Sequence, residues 1–203
     1  NKNYEIYGRG LGSYNSKNIS TLYFGNSGTL ARLIIGIITS TPNISLKVFG
    51  DKSLNKRNMK KLITLMSKFG AEFHPKNKFF FPLRITSSNY PIGISYESGV
   101  SAQLKSAVIL AGLNSYGNTE IKENLKSRDH TENMLKKNKE AIKIKNKKVK
   151  NIIIFGKQSL EKFSLNVPGD PSSAAFFTAL TLLKDNSSLK IKNVGLNPTR
   201  IGF

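Results

Sequence analysis

Phe24-Gly25-Asn26-Ser27-Gly28-Thr29-Leu30-Ala31-Arg32 sets small residues and hydroxyls directly before an apolar run, Leu30 to Ile38. Gly25 and Gly28 allow the backbone to approach a ligand closely, and Ser27 or Thr29 can cap the helix that follows. A helix start presents unpaired N–H groups at the positive end of its dipole, which suits an anion. Arg32 stands one turn further in and adds charge. The stretch gains meaning because its pattern recurs along the chain.

A strand over Ile92–Tyr96 leads into Ser98-Gly99-Val100-Ser101-Ala102-Gln103 and a helix to about Leu113. Val167-Pro168-Gly169-Asp170-Pro171-Ser172-Ser173 opens a third apolar helix, Ala174 to Leu183. Ser27, Ser101 and Ser172 are therefore spaced by just over seventy residues. Leu54-Asn55-Lys56-Arg57, Leu125-Lys126-Ser127-Arg128 and Leu196-Asn197-Pro198-Thr199-Arg200 keep the same spacing and read as second helix starts. The repeat is too long for a small solenoid and fits an α/β domain built from βαβαββ units.

Within the first unit, Tyr4–Tyr14 reads as a strand with turns, Ser45–Phe49 as a strand and Gly50-Asp51-Lys52-Ser53 as a turn. Asn58–Phe69 is a one-faced helix ended by Gly70, and Ala71–His74 with Phe79–Thr86 reads as a strand pair. In the second unit Thr119–Ile121 is a strand and Asp129–Glu140 a helix. Ala141–Ile144, Asn151–Phe155, Phe163–Val167 and Ser188–Ile191 are further strands, with Asn193–Thr199 a turn.

The chain has 203 residues, 38% of them hydrophobic, and a formal charge of +20 from 32 Lys and Arg against 12 Asp and Glu. That balance favours anionic partners: nucleic acid, phosphorylated metabolites or an anionic membrane. Cysteine is absent, which removes disulfides, thiolate nucleophiles and Cys-based metal sites. His74 and His130 are too few for a His-rich metal site. The apolar runs are too short to span a bilayer, and no signal-peptide pattern opens the chain. A cytoplasmic setting is expected. The first residue is Asn1, and an internal fragment of a longer chain is expected.

An Arg at a helix N-terminus opposes the dipole at a cost of about 0.3–1 kcal/mol. Its recurrence in three units points to a shared need for anion contact. A guanidinium grips carboxylate or phosphate through two parallel hydrogen bonds, which Lys does not. Ser101 and Gln103 add neutral donors at another helix start, and Gln103 also accepts from a hydroxyl. The expected ligand carries phosphate and carboxylate groups together.

Five motifs, in order and along nearly the whole chain, resemble the 5-enolpyruvylshikimate-3-phosphate synthase family. They are Gly25-Asn26-Ser27-Gly28-Thr29, Gly50-Asp51-Lys52-Ser53-Leu54 with Lys56-Arg57, Ser101-Ala102-Gln103-Leu104-Lys105-Ser106-Ala107, Ser127-Arg128-Asp129-His130-Thr131-Glu132 and Val167-Pro168-Gly169-Asp170. The third and fourth look like the bacterial form. The resemblance implies a two-lobed inside-out α/β barrel, each lobe of three βαβαββ units with helices packed inside. Residues 1–166 would form most of the first lobe and 167–203 the start of the second. It further implies transfer of the enolpyruvyl group of phosphoenolpyruvate to the 5-hydroxyl of shikimate 3-phosphate, through a tetrahedral intermediate and with release of phosphate. No cofactor or metal is implied, and the complete enzyme is expected to be a monomer.

By motif match, Ser101, Ala102, Gln103 and Arg128 fall where the family holds shikimate 3-phosphate. Gly28, Arg57 and Gln103 fall where it holds phosphoenolpyruvate, for which glyphosate competes. Asn26, Ser27 and Thr29 would shape that pocket. Asp170 reads as a helix cap at the lobe crossover. A Lys-Ser motif ahead of Gly25 is missing, and the family's catalytic Asp, later Lys and further arginines would lie beyond Phe203. The chain is therefore expected to carry binding residues and no catalytic residue, and to have no turnover alone.

His74 reads as a strand-end surface residue and His130 as support for a helix start. Asp129 and Glu132 suit a first helical turn. Phe79-Phe80-Phe81 reads as core packing in a strand. The nearest rival is the related UDP-N-acetylglucosamine enolpyruvyl transferase, against which the Ser101-Ala102-Gln103 and Arg128–Glu132 motifs speak. A nucleic-acid-binding module is the rival from another class. The run Lys136, Lys137, Lys139, Lys143, Lys145, Lys147, Lys148 and Lys150 lacks the interleaved aromatics that module needs, and reads as a solvated face.

Overall fold

A computed structural model describes residues 3–146 and 148–202; Asn1, Lys2, Phe203 and Lys147 of the lysine run lie outside the described residues. The chain divides into two compact units, Asn1–Leu160 and Glu161–Phe203.

The first unit contains two copies of one supersecondary pattern. In the first copy β1 (Thr21–Tyr23), α1 (Gly28–Thr39) and β2 (Ser45–Phe49) are followed by α2 (Lys52–Asn55), α3 (Lys60–Lys68), β3 (Glu72–His74) and β4 (Leu83–Thr86). The second copy runs β5 (Ser95–Ser98), α4 (Ala102–Leu113), β6 (Asn118–Glu123), α5 (His130–Leu135), β7 (Ile142–Asn146) and β8 (Lys150–Phe155). The sheet orders β1-β2-β4-β3 and β5-β6-β8-β7 are the same arrangement. In each, the first two strands are parallel and the rest antiparallel. The repeat read from the serine and arginine spacing is thus a structural repeat.

Each sheet buries one face. In β2, Leu46 and Val48 alternate with exposed residues, as do Thr119, Ile121 and Glu123 in β6. The helices meet those faces. α3 is amphipathic and buries Leu62, Ile63, Leu65 and Met66. It ends at Gly70, whose φ of +93° favours glycine. α4 has no solvent-facing polar side along its length and is buried from Leu104 to Ile109, Lys105 and Ser106 included, as befits a helix at the centre of a core. α1 packs on α4 so closely that a Cβ on Gly36 would stand 2.5 Å from the Ala107 carbonyl oxygen.

Several expectations need correction. Tyr4–Tyr14 forms no strand; Gly10 and Gly12 take positive φ, and Tyr4 and Tyr7 are exposed. The strand that pairs with β2 is instead the three-residue β1. Gly50–Ser53 is less a turn than a helix start, since Asp51 caps α2 by accepting from Leu54 N at 2.7 Å. α5 stops at Leu135, where the backbone of Asn138 closes a turn and accepts from Ala141 and Ile142. Phe79-Phe80-Phe81 precedes β4; Phe81 is buried while Phe80 is exposed.

The second unit holds α6 (Pro171–Leu182), capped by Asp170. Phe163–Val167 and Ser188–Ile191 form no strands. Leu189 and Ile191 are exposed. A single parallel bridge, Gly169 with Val194, stands where β1–β2 and β5–β6 pair in the first unit. Phe176, Phe177 and Leu180 of α6 are exposed.

Candidate functional site at two parallel helix starts

The N-termini of α1 and α4 lie side by side. Gln103 Nε2 donates to Thr29 Oγ1 at 2.6 Å, and Arg32 Nη1 donates to Gln103 Oε1 at 2.9 Å. At the other end Asn114 Nδ2 donates to the Ser40 carbonyl. Contacts at both matching ends make the two helices parallel. Their positive dipole ends therefore open together, an arrangement that repels itself and attracts an anion.

Each start is capped by serine in an extended conformation. Ser27 Oγ accepts from Leu30 N at 3.1 Å and Ser101 Oγ from Leu104 N at 3.4 Å. Ala102 is the first residue of α4 and Gly28 the first of α1. Between the two choices for the α1 cap, Ser27 holds the place.

Arg57 is carried in by a local brace. The Phe24 and Asp51 amides donate to the Phe49 and Gly25 carbonyls at 2.9 and 2.8 Å. Gly25 has φ +57°, which lets the loop turn there. A Cβ on Gly50 would stand 2.8 Å from the Gly25 carbonyl oxygen, so only glycine fits this approach. Arg57 Nη2 then donates to Asn26 Oδ1 at 2.7 Å.

Two guanidinium groups consequently converge on Gly28. A Cβ built there would lie 2.8 Å from Arg32 Nη1 and 3.0 Å from Arg57 Nη1. Burial, reinforced by the Arg57 charge, pushes the Arg32 guanidinium below its usual pKa. Among the described residues neither Arg32 nor Arg57 has a carboxylate within ion-pair distance. Such a pair of like charges suits a bidentate anionic ligand, phosphate or carboxylate.

The structure joins Asn26, Gly28, Thr29, Arg57 and Gln103 in one contact group and sets Ser27, Ser101 and Ala102 at the two starts. Among the described residues Arg128 has no hydrogen bond to Gln103 or Ser101; it is exposed in the segment between β6 and α5. Arg57 does not open a helix: it follows the C-cap of α2. A cation there meets the negative end of the dipole, so the expected electrostatic cost does not arise. In the third unit Arg200 pairs with Asp170 at 3.1 Å, while Asp170 also caps α6. That arginine serves an internal ion pair.

Arg32 is more central than its place in the sequence suggested; it stands one turn after Gly28, the usual spacing for a side chain that reaches back along a helix. Sequence reasoning also passed over Lys105. It is the sole charge between Ser101 and Gly117, and that isolation in an apolar helix was the available signal. His74 is at the edge of β3, 3.3 Å from Glu72, and His130 is exposed at the start of α5. Among the described residues no group of three or more His, Asp or Glu could hold a metal, and no helix is long and apolar enough to cross a membrane.

The family described as EPSP synthase (3-phosphoshikimate 1-carboxyvinyltransferase) matches residues 1–203. The 3-phosphoshikimate 1-carboxyvinyltransferase of Bacillus subtilis is 43% identical over 200 residues, covering 98% of this chain and 45% of that protein. The enzyme of the same name from Leuconostoc mesenteroides is 42% identical over 199 residues, covering 97% and 44%. Among solved structures, EPSP synthase from Acinetobacter baumannii superposes with a TM-score of 0.74 at 36% identity, covering 90% of this chain and 41% of that one. The chain thus spans less than half the length of the curated relatives it matches. With one family covering every residue and a matching fold, the chain belongs to the EPSP synthase family.

Proposed function

We propose that the protein containing this chain transfers the enolpyruvyl group of phosphoenolpyruvate to the 5-hydroxyl of shikimate 3-phosphate and releases phosphate. The observation that carries this reading is the convergence of Arg32 and Arg57 on Gly28 beside two parallel helix starts. Phosphoenolpyruvate bears a phosphate and a carboxylate on three carbons, and two guanidinium groups match it. In this reading Gly28, Arg57 and Gln103 hold the donor, with Asn26, Ser27 and Thr29 shaping its pocket. Ser101, Ala102, Gln103 and Arg128 hold shikimate 3-phosphate. Gln103 touches both halves of the site because its amide has a donor and an acceptor end.

In this reading the two units belong to two lobes, and the chain supplies binding groups to a monomeric cytoplasmic enzyme. Lys136, Lys139 and Lys143 line a shallow cavity of about 400 Å³ with Ile142 and Ile144. No aromatic residue belongs to that lining, so base stacking has no platform there.

Phosphate release by the full-length protein tests the reading. Release is expected with phosphoenolpyruvate and shikimate 3-phosphate together and with neither alone. Release with UDP-N-acetylglucosamine in place of shikimate 3-phosphate would overturn it.

A further inference from the structure

Beneath the candidate site lies a closed set of four charges. Lys105, fully buried on the first turn of α4, places Nζ 2.6 Å from Glu123 Oε1 and 2.7 Å from Glu132 Oε1. Lys150 lies 3.2 Å from each of the same two carboxylates. The charges balance, and both Glu side chains are 1% exposed. A buried ion set is weak evidence of stability, since desolvation offsets much of the attraction. Its geometry, however, is specific. Glu123 ends β6 and Glu132 lies in the first turn of α5. Arg128 falls between them in sequence.

Further bonds fix that segment. Glu123 Oε1 also accepts from Ser127 N at 3.0 Å and from Ser127 Oγ at 2.8 Å. Ser106 Oγ and Thr131 Oγ1 share a hydrogen bond of 2.7 Å. The residue before Arg128 is thus held by Glu123, and the turn after it is held by Ser106 and Lys105. Both anchors stand on the helix whose start carries Ser101, Ala102 and Gln103.

We propose that Lys105, Glu123 and Glu132 form a positioning clamp that fixes Arg128 relative to the α4 N-terminus, so that one arginine and one helix start grip the same anionic ligand. The clamp rests on the assignment of Arg128 and the α4 start to shikimate 3-phosphate. Lys105 touches no ligand in this account. It acts through the two carboxylates that flank Arg128. Without the clamp Arg128 samples many positions, and ordering it costs binding free energy.

A double-mutant cycle in the full-length protein tests the clamp. Lys105→Met and Ser127→Ala are made in the wild type and in an Arg128→Ala background, and shikimate 3-phosphate affinity is measured by calorimetry. Lys105→Met is expected to weaken binding roughly tenfold or more, and Ser127→Ala several-fold, in the wild type. In the Arg128→Ala background neither is expected to matter further, and phosphoenolpyruvate affinity stays within about twofold throughout. Equal losses in both backgrounds would overturn the clamp and leave only a structural role. Ser127→Ala keeps the ion set intact, so it decides the case if Lys105→Met does not fold. Hydrogen exchange at the Ser127 amide supplies a readout without ligand: protection is expected in the wild type and its loss in Lys105→Met. If the wild type binds no shikimate 3-phosphate, the functional reading fails while this amide still decides whether the clamp exists.

Discussion

Thr29 and Gln103 occupy corresponding places in consecutive structural units and touch each other, Gln103 Nε2 to Thr29 Oγ1 at 2.6 Å. Ser40 and Asn114 correspond in the same way and are also hydrogen-bonded. The duplication of one βαβαββ pattern has therefore set two equivalent helices in parallel, with their starts together. One copy of the pattern brings one serine-capped helix start to this place; the pair brings two, one turn from Arg32 and next to Arg57.

Gln103 is the hinge of this arrangement, so Gln103→Ala should weaken binding of both proposed substrates to the full-length protein. Loss of its bonds to Arg32 and Thr29 frees the Arg32 guanidinium to turn from the site. A hydrogen bond to a charged group contributes about 1.5–3 kcal/mol, so each Kd should rise roughly tenfold or more. Titration calorimetry with each ligand checks this, and an effect on one ligand alone would contradict it.

Gly28→Ala should fold and yet alter the pocket. Gly28 lies within α1 and is not among the positive-φ glycines, so alanine is acceptable to the backbone. The added methyl meets the ends of Arg32 and Arg57, which are flexible, and displaces both. Overpacking a tight site costs typically about 1–3 kcal/mol. Glyphosate is longer than phosphoenolpyruvate and should lose more, by roughly tenfold. Inhibition constants and KM on both forms decide it; equal factors would make Gly28 a structural glycine.

Gly36→Ala should destabilise the fold instead. Its Cβ would press on the Ala107 backbone, 2.5 Å from the oxygen and 2.9 Å from Cα, and backbone cannot step aside as a guanidinium can. Separating α1 from α4 should cost about 1–3 kcal/mol or more. Chemical denaturation of the full-length protein checks it, with a lower midpoint at unchanged slope as the expected outcome.

The buried ion set should limit stability in acid. Burial works to raise the Glu123 carboxyl, but hydrogen bonds from Lys105 and Ser127 outweigh it and hold the group below its ordinary value of 4.5. A depressed carboxylate contributes stability that is complete above its unfolded pKa and lost as pH falls through the folded one. For Lys150, burial works downward, but Glu132 and Glu123 outweigh it and raise the ammonium above 10.5. That contribution is complete below its unfolded pKa and lost as pH rises through the folded one. The thermal midpoint should therefore fall on acidification below about pH 4.5, and Glu123→Gln should flatten that limb. An unchanged acid limb would contradict the assignment.

Much of this was legible in the sequence. The helix at Gly28 is marked by a serine cap and an apolar body, and the repeat by the spacing of Ser27 and Ser101. β2 was readable because five residues alternate cleanly. β1 was not, since three residues are too few to show a period and their strand exists through its parallel partner. α2 is four residues long, so Arg57 was assigned to a helix start when it follows a helix end. The Lys105 cluster joins four elements across 45 residues of sequence, and no local pattern announces that its two carboxylates share two ammoniums.

The central claim is that two anions are held at distinct places, the donor at Gly28 and Arg57 and the acceptor at the α4 start and Arg128. Calorimetric titration of the full-length protein and its Arg57→Ala and Arg128→Ala variants with each substrate tests this most directly. Arg57→Ala should weaken phosphoenolpyruvate roughly tenfold or more and spare shikimate 3-phosphate, and Arg128→Ala should do the reverse. Equal losses of both ligands in both variants would contradict the account.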